Sequence, residues 1–344
     1  MSDATEQLTN PPRVVLLTGG TGLVGGAVAE RLVAGGWTVR AAVRASSNTA
    51  NLDALGVQTV VVDFDDEASL EAAAADASHV VHAAAKVGDW GDVQSYIDAN
   101  VGGTRRLIAA LPATIERFVH ISSLGVYPAR DHHGTDETAA RGEAGIDGYT
   151  RSKIESEDVA TQAATDGLPV IVLRPGFVYG PRDQAVIPRI IERVEDGKFA
   201  FLGSGDQLLN NVYVENLAEA VERALTCNYE EATAEGVVFN VTDPRLVTKR
   251  EFVGTIAEGV GLKPPSRSVP LPVAKVVARV LESVWRWRKK DTPPILSQAR
   301  IKFLGLNLDF SSERARRRLG YDPQHDFADA MATTMQAFSS DDRS

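Results

Sequence analysis

The sequence predicts an α/β fold built on a doubly wound, mainly parallel sheet, with a smaller and mainly helical lobe toward the C-terminus. Three observations carry this prediction: short apolar runs rich in β-branched residues, helical patterns between those runs, and a loss of the alternation after Gly180. Near-continuous apolar strands are typical of parallel sheets whose two faces are both covered by helices. The crossover connections are expected to be right-handed.

Six segments in the first half have the composition of buried strands. They are residues 13–20, 38–44, 57–64, 79–85, 117–123 and 169–175. Helical periodicity separates several of them, at 22–36, 66–75 and 93–111. We therefore predict a nucleotide-binding domain over 13–180, preceded by a disordered tail over 1–12.

The second half contains helical patterns separated by segments with Pro, Gly and charged residues. The predicted helices are at about 185–196, 215–226, 248–260 and 272–288. The apolar run 237–241 is expected to return to the main sheet as a strand. These features predict a substrate lobe over 181–330 and a C-terminal tail over 331–344.

Composition excludes several classes of protein. The chain has 344 residues and a formal net charge of -10, and it has no long basic run, which disfavours binding to nucleic acid. Cys227 is the only cysteine, so the chain cannot form an internal disulfide. The first residues are polar and acidic rather than apolar, so we expect no secretory signal and a cytoplasmic location.

Residues 18–25 read TGGTGLVG, between a predicted strand and a predicted helix. Glycines at such a turn let the backbone approach a pyrophosphate, and the helix N-terminus supplies N–H donors. An ordinary glycine-rich turn is the alternative, and a P-loop is excluded because no Gly-Lys-Ser/Thr sequence follows. The dinucleotide contacts predicted here are Gly19, Thr21, Gly22, Leu23, Val24 and Gly25.

The end of the second strand carries Arg44 where NAD sites usually have a carboxylate. No acidic residue lies between Glu30 and Asp53. A guanidinium at this position suits a 2′-phosphate, so NADP(H) is favoured, although NAD(H) is not excluded. The alternative is that Arg44 is a surface arginine at a strand end.

Asp63 and Phe64 follow the third strand and are assigned to the adenine end of the same site. The Asp63 carboxylate is able to accept a bond from the adenine amino group. Asp65 and Asp66 are equally well explained as a helix cap and an acidic first turn.

Tyr149 and Lys153 lie one helical turn apart in GYTRSK, residues 148–153. By itself this spacing is more often a solvated helix face than an acid–base pair. Its place in the order of motifs decides between the two interpretations. TGGTGLVG, HAAA (82–85), NVGGT (100–104), ISSLGVY (121–127), YTRSK (149–153) and LRPGFVYGP (173–181) follow one another along the chain.

With these motifs the chain resembles the extended short-chain dehydrogenase/reductase superfamily over about residues 13–325. The resemblance implies a Rossmann-type dinucleotide fold and an NAD(P)-dependent dehydrogenase or reductase. It implies that Tyr149 is the general acid/base and that Lys153 lowers the Tyr149 pKa and holds the nicotinamide ribose. It further implies that Ser123 binds the substrate oxygen and that Asn100 links the lysine to solvent, although Asn100 is also explained as a helix cap.

The resemblance also places small side chains against the adenosine part of the cofactor and a turn beside the nicotinamide. The residues concerned are Ala83, Ala84, Ala85, Pro175 and Val178. Segments such as 82–96 and 201–221 resemble the 3β-hydroxysteroid dehydrogenase and 2-alkyl-3-oxoalkanoate reductase branch. That branch implies a large apolar alcohol or ketone as substrate.

Two alternatives remain at this stage. One is a nucleotide-sugar epimerase or dehydratase with tightly bound NAD, which Arg44 and the apolar lobe disfavour. The other is a non-catalytic NADP-binding sensor, although such relatives usually lose the tyrosine or lysine. A homodimer is common in the superfamily, but the sequence does not establish one.

Residues 273–284 place apolar groups on one helical face, and WRWRKK follows at 285–290. We favour a core helix of the lobe with a basic end, and keep a helix lying on a membrane surface as the alternative. The polar loop over 128–148 is predicted to order over substrate. It contains His132 and His133, but no second ligand cluster accompanies them, so no metal site is predicted.

Overall fold

Fifteen strands, seven of them in one parallel sheet, form the framework of the computed structural model, which describes residues 13–143, 146–288, 290 and 292–338. The sheet order is β12-β7-β5-β4-β1-β2-β3. In chain order the strands are β1 Val14–Thr18, β2 Thr38–Val43, β3 Gln58–Val61, β4 His79–His82, β5 Arg117–Ile121, β6 His132–Thr135, β7 Val170–Pro175, β8 Phe177–Tyr179, β9 Phe201–Leu202, β10 Leu208–Leu209, β11 Asn211–Tyr213, β12 Val238–Val241, β13 Val247–Thr248, β14 Ser268–Val269 and β15 Leu308–Phe310.

Thirteen α-helices cover the sheet and build the lobe in the described part of the chain. They are α1 Leu23–Ala34, α2 Ala50–Ala54, α3 Glu67–Ala74, α4 Val93–Tyr96, α5 Gly103–Ala109, α6 Gly148–Thr165, α7 Ile187–Glu195, α8 Val214–Thr226, α9 Tyr229–Ala232, α10 Lys249–Gly259, α11 Leu271–Trp287, α12 Gln298–Gly305 and α13 Phe327–Gln336. Short 3₁₀ turns lie at Leu124–Val126 and Thr233–Glu235, and π-helical turns at Ile97–Gly102 and Ala315–Leu319.

The six strands predicted for the first domain are confirmed as β1 to β5 and β7. The run at 237–241 also returns to the main sheet, because β12 pairs in parallel with β7. Both faces of the sheet are covered by apolar clusters, which explains the near-continuous apolar strands. The predicted helix over 93–111 is interrupted by the π-helical turn between α4 and α5.

The lobe contains all four helices predicted for the second half, as α7, α8, α10 and α11. Short strand pairs tie it together, and β15 pairs with β6 inside the segment predicted as a polar loop over 128–148. His132 of that segment is buried and bonds to Pro128 O at 3.0 Å. Part of this loop is therefore fixed in the fold and is not free to close over a substrate.

The ends of the chain are described only in part. The predicted tail over 1–12 lies outside the described residues, and so do 339–344. Helix α13 runs into the predicted C-terminal tail and buries Met331 and Met335 in the main core. This portion of the predicted tail is packed helix, whereas the boundary between the two predicted domains stays a prediction.

Helix α11 contradicts the prediction of a core helix. Only Ala274 and Ala278 of this helix are buried, whereas Val273, Val276 and Val280 are each more than half exposed. The apolar periodicity is real, but its face points away from the lobe. In the described part of the chain, no helix is both long enough and apolar enough to cross a bilayer.

Candidate active site

The glycine turn after β1 brings its backbone against the end of β4. Gly19 has a φ of 76°, a conformation that favours glycine, and a Cβ there would lie 2.7 Å from Ala84 N. A Cβ on Gly25 would collide with the Gly19 carbonyl, so the start of α1 packs directly on the turn. Both glycines are therefore required by the fold, independently of any ligand.

The same turn leaves an open cradle for a dinucleotide. Gly22 is the N-cap of the twelve-residue α1 and has no side chain to cover the first N–H groups of that helix. Thr21 and Gly22 are exposed, and Leu23 and Val24 are half-buried. The open helix N-terminus beside closely packed glycines is compatible with the predicted pyrophosphate contact.

Beside the cradle, Thr18 joins β1 to β4. Its hydroxyl accepts a bond from Ala84 N at 3.1 Å and contacts His82 Nδ1 at 2.8 Å. The other ring nitrogen of His82 contacts Thr104 Oγ1 at 3.0 Å, and burial lowers the His82 pKa to about 3. This neutral chain fixes Ala83, Ala84 and Ala85 next to the cradle, and the motifs did not predict it.

The two arginines in and after β2 differ in whether their guanidinium groups are already paired with a carboxylate. Arg40 donates to both carboxylate oxygens of Asp76 and to Gln58. Arg44 is exposed directly after β2, and no ion pair of its side chain is recorded among the described residues. Of the two guanidiniums, Arg44 is therefore the one able to contact a ligand.

The turn after β3 is held by its own acidic residues. One Asp63 carboxylate oxygen accepts a bond from Asp65 N at 3.0 Å, while Asp66 caps α3. Phe64 stacks on His82 with ring centroids 6.1 Å apart, and its carbonyl accepts a bond from Arg106 at 2.6 Å. Asp63 remains exposed, so its predicted contact with adenine stays compatible with this geometry.

Ser123 and Tyr149 meet where β5 ends and α6 begins. Asp147 caps α6 by accepting a bond from Thr150 N at 2.6 Å, which places Tyr149 in the first turn. Ser123 Oγ accepts a bond from Gly125 N at 2.9 Å, so its own proton is free to donate. Burial raises the pKa of Tyr149 to about 12, while its hydrogen bond with Ser123 lowers the pKa in part.

Lys153 is buried one turn further along α6, and its ammonium donates to Ile121 O at 2.8 Å. Burial lowers the Lys153 pKa to about 8. Desolvation is the largest influence on the Tyr149 pKa, and the expectation that Lys153 lowers that pKa stays a prediction. Burial thus favours the protonated form of Tyr149, which is able to donate its proton.

Asn100 lies in the π-helical turn, a feature often found at functional sites. Its amide donates to Ser152 Oγ at 2.8 Å and to Lys86 O at 3.0 Å, and its oxygen accepts from Lys86 N at 2.6 Å. Asn100 thus joins the segment after β4 to α6. The link from Lys153 to solvent through Asn100 stays a prediction, and Ser152 is a partner that the sequence analysis missed.

Glu157 forms a buried ionic network that the sequence analysis also missed. Its carboxylate accepts bonds from Arg174 at 2.5 and 2.9 Å, from Ser122 at 2.6 Å and from Arg141 at 3.1 Å. Ser122 precedes Ser123 on the chain, and Arg174 precedes Pro175. The spacing of Glu157, four residues after Lys153, was the available signal that it lies on the same face of α6.

Pro175 and Val178 flank a second close approach of backbones. A Cβ on Gly176 would collide with Asn210 O, and Phe177 N donates to the same carbonyl at 2.7 Å. This contact aligns β8 beside β11 at the carboxyl end of β7. The predicted nicotinamide turn is therefore rigid, and Val178 is half-buried beside it.

These elements combine a dinucleotide cradle with a serine, a tyrosine and a lysine at the carboxyl edge of one parallel sheet. Residues 15–241 match the model of the NAD dependent epimerase/dehydratase family, about two thirds of the chain. The chain belongs to this family. Its motif order places it among the extended short-chain dehydrogenases/reductases, and it is an NAD(P)-dependent dehydrogenase or reductase acting on CH–OH groups.

Similar proteins include a reductase and a hydroxysteroid dehydrogenase. A 2-alkyl-3-oxoalkanoate reductase of Shewanella oneidensis is 30% identical over 315 residues, which cover 89% of this chain and 81% of that one. A 3 beta-hydroxysteroid dehydrogenase/Delta 5-->4-isomerase of Mycobacterium tuberculosis is 30% identical over 352 residues, covering 98% and 91%. The crystal structure of gox2253 superimposes with a TM-score of 0.78 at 28% identity, covering 95% and 98%.

Proposed function

We propose that this member of the epimerase/dehydratase family reduces a ketone on a large apolar substrate with NADPH. The observation that carries the proposal is the placement of the Ser123 hydroxyl beside the Tyr149 phenol, where β5 ends and α6 begins, with the Lys153 ammonium fixed to the same strand end. This arrangement offers a hydroxyl donor and a protonated phenol to one carbonyl oxygen. The family relationship supplies the expectation of a nicotinamide cofactor.

The roles proposed for the chain's own residues follow from these contacts. Ser123 donates to the carbonyl oxygen and polarises it, and Tyr149 gives that oxygen its proton as the alcohol forms. The bound nicotinamide dinucleotide supplies the hydride. Lys153 provides a positive charge that stabilises the phenolate left on Tyr149, and Asn100 and Ser152 hold α6 in place behind it.

A protonated Tyr149 is the form that ketone reduction requires. A phenol with a pKa raised to about 12 is almost fully protonated at neutral pH and serves as an acid without prior loss of its proton. Alcohol oxidation would instead require a phenolate at the start. Reduction at neutral pH and oxidation at alkaline pH are therefore the expected preferences.

Arg44 supports NADPH over NADH. Its guanidinium is exposed at the end of β2, whereas Arg40 is already committed to Asp76. A 2′-phosphate would gain a charge-assisted contact with Arg44 that a ribose hydroxyl cannot make. The Arg44→Asp variant is expected to bind NADPH at least about tenfold more weakly, while its affinity for NADH is maintained or increased.

An apolar cavity of about 30 Å³ near the nicotinamide turn supports an apolar substrate. Phe177 follows that turn and packs on Phe303 and Phe252, with ring centroids 4.8 and 5.5 Å apart. Leu209 and Val253 complete much of the wall. The cavity itself has room for little more than a water molecule, but its apolar wall favours the surface of an alkyl chain or a ring over sugar hydroxyls, which would be left without partners.

The test is NADPH consumption with a panel of 3-oxoalkanoic acids of increasing chain length and 3-ketosteroids. Tyr149→Phe should lower kcat about a hundredfold to ten-thousandfold with NADPH affinity maintained, since only the proton donor is removed. The control is Tyr229→Phe, which should retain full turnover. Tyr229 packs on Arg117 and is distant from Tyr149 in the sequence. Full turnover by Tyr149→Phe, or NAD released from the denatured protein with no net NADPH consumption, would contradict the proposal.

A further inference from the structure

Helix α11 carries the largest group of exposed apolar side chains in the described structure. Nine large apolar side chains are exposed in the described part of the chain, and five of them lie on this one helix. They are Val273, Val276, Val277, Val280 and Trp287. Their spacing of three and four residues places all five on one side of the helix, opposite the buried Ala274 and Ala278.

The charge of the same segment is opposite to that of the whole protein. Residues 271–290 contain six Lys or Arg and one Glu, a formal charge of +5, whereas the chain carries -10. Arg279, Arg286 and Arg288 are exposed, and no ion pair of theirs is recorded within the described residues. On a helical wheel Arg279 and Arg286 lie together along one side of the valine face.

Two further exposed apolar residues belong to segments that contact the end of α11. Trp90 Nε1 donates to Lys290 O at 2.9 Å, which joins the loop containing Val87 to this end. Arg300 pairs with Asp89 at 2.6 Å and donates to Ile295 O at 3.0 Å. Val87 and Ile295, in these two segments, are 71% and 63% exposed.

We propose that α11 lies in the surface of a membrane that contains anionic lipid. The valine face and Trp287 enter the boundary between headgroups and acyl chains, and the adjacent arginines contact lipid phosphates. The rest of this acidic protein is repelled by the same surface, which orients α11 toward it. The inference does not depend on the reaction that the enzyme catalyses.

The positive charge of this segment also favours lipid over a second copy of the chain as the partner of the valine face. A symmetric contact would bring the two +5 segments together, because an isologous interface pairs each patch with itself. An anionic bilayer neutralises the same charge and accepts the valines. Lipid is therefore the occupant that satisfies both properties of the helix.

The experiment is co-sedimentation of the full chain with vesicles of phosphatidylcholine alone or of an equal mixture with phosphatidylglycerol. We expect binding to the mixed vesicles that weakens at high salt, and little binding to phosphatidylcholine. Arg286→Ser/Arg288→Ser should bind about 30-fold more weakly, because each basic residue near the surface contributes about fivefold. Val276→Asp/Val280→Asp should lower binding more than about tenfold.

Matched controls separate this site from general surface effects. Arg189→Ser/Arg193→Ser changes the net charge equally on the exposed side of α7, and Val61→Asp changes a valine 63% exposed on β3. Both should bind vesicles as the wild type does. A Trp emission shift on vesicle addition that disappears in Trp287→Phe would support insertion of this residue.

Three results would overturn the proposal. The first is absence of wild-type binding to the mixed vesicles at low salt, and the second is an equal loss of binding in the control variants. Dissociation of an oligomer by Val276→Asp/Val280→Asp without any change in vesicle binding would also overturn it, in favour of a second copy.

Discussion

Helices α6 and α11 are of nearly equal length and show opposite relations between composition and burial. Of the eighteen residues of α6, nine are buried, and five of these nine are polar: Thr150, Ser152, Lys153, Ser156 and Glu157. Of the seventeen residues of α11, two are buried, while four of its valines are exposed. Burial thus follows what each helix contacts and not its average hydropathy.

The two helices differ in which contribution to the free energy of folding is unfavourable. Burial of an ammonium and a carboxylate on α6 costs solvation, and the cost is offset by hydrogen bonds that hold the catalytic groups. Exposure of valines on α11 forgoes hydrophobic stabilisation that a core position would have supplied. Each helix departs from the usual pattern where we propose that it serves something other than this chain. For α6 the proposed partner is a substrate, and for α11 it is lipid.

Glu157→Gln should produce the largest loss of stability on α6. The carboxylate is 1% exposed and accepts four bonds, so its replacement leaves the Arg174 charge buried without an anion. A loss of about 3–5 kcal/mol in the free energy of unfolding is expected. The measurement is urea unfolding followed by circular dichroism.

Glu155→Gln provides the comparison on the same helix. Glu155 pairs with Arg151 across one turn at 2.7 Å on the exposed side, where such pairs contribute about 0.3–0.5 kcal/mol. Equal losses for Glu155→Gln and Glu157→Gln would show that the buried network has no special role in stability.

Lys153→Met should make the protein more stable and less active. Burial holds the folded-state pKa of Lys153 at about 8, below the usual 10.5, so the folded chain bears the cost of a buried ammonium at pH 7. Removing the charge should raise the free energy of unfolding by about 2 kcal/mol after the lost bond to Ile121 O is deducted. Ketone reduction should fall more than about a hundredfold.

The pH dependence gives the sign of this effect. Between pH 8 and 10.5 the unfolded chain binds the Lys153 proton and the folded chain does not, so wild-type stability rises with pH in that window. The advantage of Lys153→Met should therefore shrink from pH 8 to pH 10.5. A constant difference across this range, or a similar gain from the exposed Lys198→Met, would refute the assignment.

The contrast between the two helices also explains what the sequence could predict. The strands, the glycine turn and the Tyr149–Lys153 pair were predictable because each depends on local pattern and short spacing. The bonds of Glu157 to Arg174 and Ser122 join residues 17 and 35 positions apart, which only the tertiary fold brings together. The direction of the α11 face was not predictable, since periodicity identifies a face but not what lies opposite to it.

The smallest effect is expected on α11. Val276→Ser/Val280→Ser should change the free energy of unfolding by less than about 1 kcal/mol, because both side chains are already more than half exposed. Ala278→Leu on the same helix should cost about 1–3 kcal/mol, since Ala278 is fully buried against the lobe. If the serine pair instead unfolds the protein as readily as Ala278→Leu, these valines are covered in solution by protein. The face would then be an interface within an assembly and would no longer be open to a membrane.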